Sequence, residues 1–265
     1  MAKPPTTLVH AIQLLDCFTQ SEPYLGVREA ARKAGISTST AGRILSALKD
    51  LGLLFQDQES RKYALAGKVL GWAEVYGATL DIRQLAQSHI HDLQRLTGET
   101  ISLYVLEGTN RVCVERLESD QNVRVVARIG RNIPLHAGSA GKLFLAYLPD
   151  QDREKILSST NLDPLTPFTI TDVDSLRQQV RMIKNQGYAI SHREWTVDAS
   201  GVSAPIFNQR GQMIAALTVS GPTQRFFDEN LTKFTNGCIL TALQISRDLG
   251  YHADQRSSFS FVDEN

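Results

Sequence analysis

The chain has 265 residues, 42% of them apolar, and its 28 Lys and Arg are matched by 28 Asp and Glu. That length accommodates two domains of ordinary size with real cores. The balanced charge excludes a polyelectrolyte that grips nucleic acid over its whole surface, so any DNA binding has to be local.

Leu8, Ala11, Ile12, Leu15 and Phe18 recur at helical spacing and predict a first helix that buries this stripe. A polar break at 20–24 leads to a short second helix with a small-residue face: Val27, Ala30, Ala31 and Ala34. Gly35 ends it, because glycine adopts positive φ freely. Ser37 is placed to cap a third helix whose buried stripe is Ala41, Ile44, Leu45, Leu48 and Leu51, with Gly52 as the stop. Alternation from Leu54 to Leu65 around the polar stretch 57–61 predicts a hairpin. Helix, helix, turn, helix, hairpin is the order of a winged helix-turn-helix.

Residues 69–96 read as mostly helical, with Ile82, Leu85, Ala86, His89, Leu93 and Leu96 on one face and Gly71–Leu80 as the inter-domain link. After Gly98 the period becomes two: Ile101, Leu103 and Val105, a turn at 108–110, then Val112 and Val114. Val123, Val125 and Ala127 predict a further strand, Gly141–Leu148 a helix, and Val173, Leu176, Val180 and Ile183 another. Strands are expected near Tyr188, at Val202–Phe207 and at Ile214–Ser220, with a turn at 208–211. The last helix carries Leu231, Phe234, Cys238, Ala242, Ile245 and Leu249. The fold class is therefore α+β in two domains, the second with a largely antiparallel sheet and flanking helices.

Cys17, Cys113 and Cys238 are far apart and form no CxxC, which argues against a disulfide framework or a structural zinc. Met1–Thr7 lacks the apolar region of a secretory signal, and Met213–Val219 is too short to span a bilayer. The expectation is a soluble cytoplasmic protein with no membrane partner, cofactor or metal.

The buried stripe of the third helix decides which face is free to enter a major groove. At about 100° per residue, Ser39, Arg43, Ser46 and Asp50 point away from it. Thr38 and Thr40 flank the helix N-terminus, which itself attracts phosphate. Arg43 has the geometry to pair with guanine O6/N7 or to hold a phosphate. Arg61 and Lys62 lie at the wing tip, and Arg28, Arg32 and Lys33 reach outward from the second helix. Between residues 28 and 62, seven basic residues face four acidic ones. So modest an excess calls for a dimer on a palindromic double-stranded operator.

At this point the chain, from its first helix to about Tyr251, resembles an IclR-type transcriptional regulator. The pattern is carried by Gly35–Thr40, Arg43, Leu48–Gly52 and Arg61–Gly67. It continues in Pro134–Lys142, in Gly187–Ala189, in Gly201–Phe207, and in Ala215–Pro222 with its ending Val219-Ser-Gly-Pro222. The resemblance implies a GAF-like effector domain, a dimer or a dimer of dimers, and a small organic ligand, often a carboxylic acid. Domain bounds follow: 1–70 winged helix-turn-helix, 71–81 linker helix, 82–251 GAF-like domain, 252–265 a polar, disordered tail. One departure stands out. Where such proteins often carry an acidic cluster after Gly-Tyr-Ala, this chain reads Ile190-Ser-His-Arg-Glu-Trp195, retaining Glu194 and adding His192, Arg193 and Trp195.

Pro134–Lys142 reads as a loop opening a helix. Its small residues Gly138, Ser139, Ala140 and Gly141 let a ligand approach free backbone N–H groups, a carboxylate site that requires no cationic side chain. Thr218 and Ser220 share one face of a strand, and Ser203 on a neighbouring strand offers a third hydroxyl. By resemblance these positions line the pocket, with Cys238 as a wall. The bland alternatives are a helix cap for Ser139, cross-strand pairing for Thr218 and Ser220, and plain core for Cys238. His136 is expected to bond backbone rather than a ligand or metal. Trp195 and Arg193 suit a pocket guard or an interface equally. Two other functions compete. An enzyme acting on small acids would draw on Ser139, Cys113 and His136, but no catalytic motif accompanies them. A protein-interaction module would use the winged helix for a protein partner.

Overall fold

The computed structural model describes residues 4–19, 21–79, 82–125 and 128–252. The chain divides into two compact units, with the boundary between Leu80 and Asp81.

The first unit opens with α1 (Thr6–Leu15), α2 (Val27–Ala34) and α3 (Thr38–Asp50). Alanines 30, 31 and 41 are buried where the helices meet, and their small side chains let the backbones approach. Gly35 takes φ 67° and donates to the Arg32 carbonyl, while Ile36 N–H reaches the Ala31 carbonyl. This is a Schellman stop, and it sets the tight turn into α3. Ser37 caps α3 as expected, its Oγ accepting from Thr40 N–H at 3.2 Å. The hairpin of β1 (Leu54–Gln56) and β2 (Tyr63–Leu65) forms the wing. Its turn is held by Asp57, whose Oδ1 accepts from Ser60 N–H at 2.8 Å and Ser60 Oγ at 2.6 Å. Helix α4 (Lys68–Thr79) follows.

Two details of the expected core differ. In α1 the buried residue is Leu14, whereas Leu8 and Ile12 face outward. Leu51 is exposed because α3 ends at Asp50. The chain turns at Gly52 (φ 76°) and sends Leu53 into the core in its place.

The second unit contains α5 (Ile82–Thr97), β3 (Thr100–Glu107), β4 (Asn110–Leu117), β5 (Asn132–Pro134), α6 (Ser139–Tyr147), α7 (Asp150–Ser159), α8 (Val173–Gln186), β6 (Ala189–His192), β7 (Ala199–Phe207), β8 (Met213–Pro222) and α9 (Asp228–Asp248). The sheet order is β5-β4-β3-β8-β7-β6, and every neighbouring pair is antiparallel. Helices α6 and α8 cover one face, and α5 pairs with α9 on the other. The register places Tyr104, Ala216 and Pro205 in one row across the sheet, and Ser102, Thr218 and Ser203 in the next. By the period of two, both rows look toward α6 while Leu217 and Val219 look toward α9. A β-bulge lies between Leu103 and Tyr104 in the pairing with β4.

The strand expected at 123–127 is absent from its described part. Residues 121–123 form bends, 124 and 125 have no regular structure, Val123 is exposed, and Ala127 lies outside the described residues. With one side to solvent and no neighbouring strand, two valines in alternation do not suffice to make one. In α5, Ala86 and Leu93 are buried as expected, Ile90 is buried beside them, and Leu96 is exposed. The short β5 and the weakly amphipathic α7 had no sequence signal. The linker positions Leu80 and Asp81, and 253–265 of the tail, lie outside the described residues. No helix among the described residues is long and apolar enough to cross a membrane.

Candidate functional site

In the first unit, α3 buries Ala41, Ile44, Leu45 and Leu48 and leaves Thr38, Ser39, Arg43 and Asp50 exposed, with Thr40 and Ser46 half-buried. The Ser37 hydroxyl organises the helix start, lying 3.1 Å from Ser39 Oγ and donating to Thr40 Oγ1 at 2.9 Å. Thr40 keeps its own O–H to donate. Arg43 makes no hydrogen bond or ion pair among the described residues, so its guanidinium is available. On α2, Arg28 is exposed while Lys33 pairs with Glu22. At the wing, Arg61 is exposed and takes φ 58°. Lys62 lies 3.6 Å from Glu29. Glu29 also accepts from Gly26 N–H at 2.9 Å, and that bond, reinforced by Lys62, holds its carboxyl below the usual range. The wing is thereby fastened to the start of α2, beside the outward face of α3.

In the second unit, a cavity of about 290 Å³ lies between the sheet and the N-terminus of α6. Gly138, Ser139, Ala140, Thr218 and Ser220 line it, as the sequence suggests. Ser203 lies beneath them, fully buried, with its Oγ 2.8 Å from both Ser139 Oγ and Thr218 Oγ1. Gly201 makes this possible, since a Cβ there would meet Ser139 Oγ at 3.3 Å and the Val219 carbonyl at 3.2 Å. Ser139 and Thr218 are therefore partners in a hydroxyl chain and also part of the lining.

Cys238 does not belong to this site. It sits on α9, on the opposite face of the sheet, fully buried, with its thiol 3.4 Å from the Leu217 carbonyl. Burial pushes its pKa up to about 12. A helix stripe shows that a residue is buried but not which face of the sheet its helix covers.

The α6 N-terminus is also not as free as expected. Gly138 N–H donates to Glu194 Oε2 at 3.0 Å, and Glu194 Oε1 lies 2.5 Å from Lys142 Nζ. Lys142, almost fully buried, also donates to the Ile190 carbonyl at 3.2 Å. The amides of Ser139 and Ala140 have no acceptor among the described residues, as the first turn of a helix requires of some partner.

The residue that sequence reasoning missed is Arg111. It is 4% exposed, on β4, and lines the cavity. Its Nη1 donates to the carbonyls of Pro134 at 3.1 Å and Ala137 at 2.5 Å, while its Nε is buried with no partner. Its guanidinium carbon lies 5.5 Å from the Tyr104 ring centroid and 5.9 Å from that of Trp195. Burial holds its pKa down to about 10, so it remains a cation at neutral pH. The glycines read as room for a ligand are room for this group. A Cβ on Gly138 would meet Arg111 Nη2 at 2.9 Å, and one on Gly141 would meet Nη1 at 2.4 Å. A cationic side chain is thus built into a site expected to require none.

Trp195 lines the pocket, with Arg131 5.0 Å from its ring. Arg193 turns away, donating to the Val197 carbonyl at 2.7 Å and covering Phe168. His192 bonds Ser200 at 3.2 Å and stacks on Phe227, and burial lowers its pKa. His136 Nε2 lies 3.0 Å from the Asp163 carbonyl oxygen, the backbone role expected. Ser139, His136 and Cys113 each bond elsewhere and form no nucleophile–base pair. Among the described residues, no cluster of His, Cys, Asp and Glu could hold a metal ion.

Residues 7–58 match the family model of the IclR helix-turn-helix domain, and 75–247 match that of the bacterial transcriptional regulator IclR C-terminal region. The chain is 32% identical over 245 residues to the HTH-type transcriptional regulator KipR of Bacillus subtilis, spanning 92% of this chain and 97% of that protein. The structure of the Agobacterium tumefaciens repressor BlcR shares its fold, with a TM-score of 0.83 at 23% identity over 95% of this chain and all (100%) of that one. An IclR homolog from Microbacterium hydrocarbonoxydans, solved in complex with 4-hydroxybenzoate, is 27% identical with a TM-score of 0.60, covering 92% and 98% of the two chains.

Proposed function

This chain belongs to the IclR family of bacterial transcriptional regulators, and we propose that its second unit makes it responsive to a small organic acid. It is a DNA-binding regulator, not an enzyme. The observation that carries the effector reading is the cavity at the α6 N-terminus, with its two unmet amides, its hydroxyl chain and the buried guanidinium of Arg111. A few fixed polar groups in a concave cup are how small-ligand sites are built. The volume suits a ligand smaller than drug size. The relative that holds 4-hydroxybenzoate supports an acid of this scale.

On DNA, Thr38, Ser39, Thr40, Arg43 and Ser46 of α3 meet base edges and adjacent phosphates. Arg28 and the wing residues Arg61 and Lys62 hold the backbone. The net charge of this region is modest, so the protein self-associates on a palindromic operator. The outward apolar residues Leu70, Trp72 and Val75 of α4 suit contact with a second copy. A ligand alters operator affinity only by as much as it prefers one arrangement of the protein over another. The DNA partner places the protein with the chromosome, in the cytoplasm.

The experiment is a titration of the full chain against the DNA upstream of its own gene, at two salt concentrations with excess nonspecific competitor. It is then repeated with a panel of small carboxylic acids. Tight binding that weakens with salt, survives competitor and shifts with at least one acid is the expected result. Titrations that overlay with and without every acid, while the same acids fail to bind the protein, would remove the effector half of the reading.

A further inference from the structure

Resting on that effector reading, we infer that the pocket is built for a monoanion and that Arg111 is the specificity-determining residue that reads its charge. Arg111 lines the cavity, and behind the lining residue Gly138 lie one further buried cation, Lys142, and one buried carboxylate, Glu194. Glu194 is committed, with one oxygen on Lys142 Nζ and the other on Gly138 N–H. The charge of Lys142 is therefore paired inside the protein, whereas that of Arg111 has only the faces of Tyr104 and Trp195 and the longer-range field of Glu194, with no ion pair of its own. No carboxylate among the described residues lies within ion-pair distance of the Arg111 guanidinium. The two carbonyls that take Nη1 are neutral, and Nε has no acceptor. A buried cation with an unmet donor is a costly arrangement, and an anion that enters the cavity relieves it.

The remaining charges at the site do not alter this balance. Arg124 and Asp198 line the mouth but are exposed, and Arg124 already bonds Glu118 at 2.9 Å. The position of the guanidinium is also not incidental, because both glycines at the start of α6 are needed to admit it. A second unmet group lies on the same face of the sheet. Ser102 Oγ is buried without a partner, beside Thr218 in the register. One unpaired positive charge surrounded by hydroxyls fits a ligand with one carboxylate and a neutral, polar body. The two free amides of Ser139 and Ala140 and the guanidinium of Arg111 border the same small cavity and meet one carboxylate together, so a second carboxylate would find hydroxyls and, at the mouth, an Arg124 already bonded to Glu118.

The test uses the full chain and matched sets of probes: benzoate, gluconate and hexanoate, each beside its primary amide and the dicarboxylate of related skeleton (terephthalate, glucarate, adipate). Binding is read by thermal shift and by Trp195 fluorescence in a Trp72→Phe background. Whichever skeleton binds, the monocarboxylate should bind at least about tenfold tighter than its amide or dicarboxylate. Arg111→Met should erase that preference, and Arg111→Lys should keep part of it. An amide or dicarboxylate that binds as well as the acid overturns the inference while leaving the effector reading in place. So does an Arg111→Met protein that still prefers the acid. If Arg111→Met does not fold, the acid-to-amide ratio in the parent and in Arg111→Lys decides. If no skeleton binds in any charge form, the effector reading falls and this inference with it.

Discussion

Removing the Glu194 carboxylate should be among the most damaging single changes in the second unit. Lys142 is 1% exposed and Glu194 7%, so neither charge is screened by solvent. In Glu194→Ala, Lys142 Nζ keeps only the Ile190 carbonyl, and Gly138 N–H loses its acceptor at the same time. Breaking a buried pair from one side costs about 3–5 kcal/mol, because a charge is left buried without its partner. For a unit of this size that corresponds to a fall of roughly 6–20 °C in melting temperature. The double change Lys142→Met with Glu194→Gln removes both charges and leaves an amide oxygen for Gly138. It should lie within about 1 kcal/mol of the parent. Trp195 lies in this unit and Trp72 in the other, so urea unfolding followed by fluorescence in a Trp72→Phe background reports on the second unit alone. A Glu194→Ala protein that loses less than about 1 kcal/mol would refute the reasoning. So would a double variant that loses as much as the single one.

Further outcomes follow from the same contacts. Gly141→Ala places a Cβ 2.4 Å from the Leu135 carbonyl and from Arg111 Nη1, so it should destabilise the second unit by about 1–3 kcal/mol or more in the same urea assay. Ser37→Ala removes the α3 cap and should cost the first unit about 0.5–2 kcal/mol, with the thermal transition of Trp72 as the readout. Arg43→Ala should leave the circular dichroism spectrum unchanged while weakening operator binding by about 1–3 kcal/mol per half-site, measured by fluorescence anisotropy. The affinity of a bound carboxylate should be flat between about pH 6 and pH 9, where the acid is ionised and Arg111 is charged. It should decline as the pH passes about 10 and the guanidinium loses its proton. A decline centred instead below pH 6.5, on the acid side where His192 titrates, would move the charge-reading role away from Arg111.

The helix-turn-helix was legible because its signals are local. Gly35 and Ser37 act within one turn of where they stand, and the stripe Ala41, Ile44, Leu45, Leu48 needs only the helical period. That period fails where the helix does, which is why Leu51 was misplaced and Leu53 overlooked. In the α1 stripe, Ala11, Leu15 and Phe18 do pack against the core, and the two positions that do not depart for another reason. Leu8 and Ile12 are apolar but have nothing to pack against within their own unit, and a sequence cannot say which apolar residues await a partner.

The pocket divides along the same line. Thr218, Ser220 and Ser203 could be placed together because the period of two in β7 and β8 is unbroken over them. Arg111 could not be found this way. Arg111, Val112 and Cys113 are all buried, so β4 has no solvent face to set the alternation, and the bulge opposite Leu103 and Tyr104 changes which residues look toward α6. A basic residue just after a hairpin turn reads as a solvent-facing one. The signal that would have located it lies elsewhere in the chain, in Gly138 and Gly141. Glycines three apart at a helix start leave space, and the nearest claimant to buried space is a side chain of the protein itself. The proposed effector would then be left the ground beyond that side chain, against Ser139, Ala140 and Thr218, where the charge of Arg111, which has no ion pair of its own, is the feature that an anion from outside can satisfy.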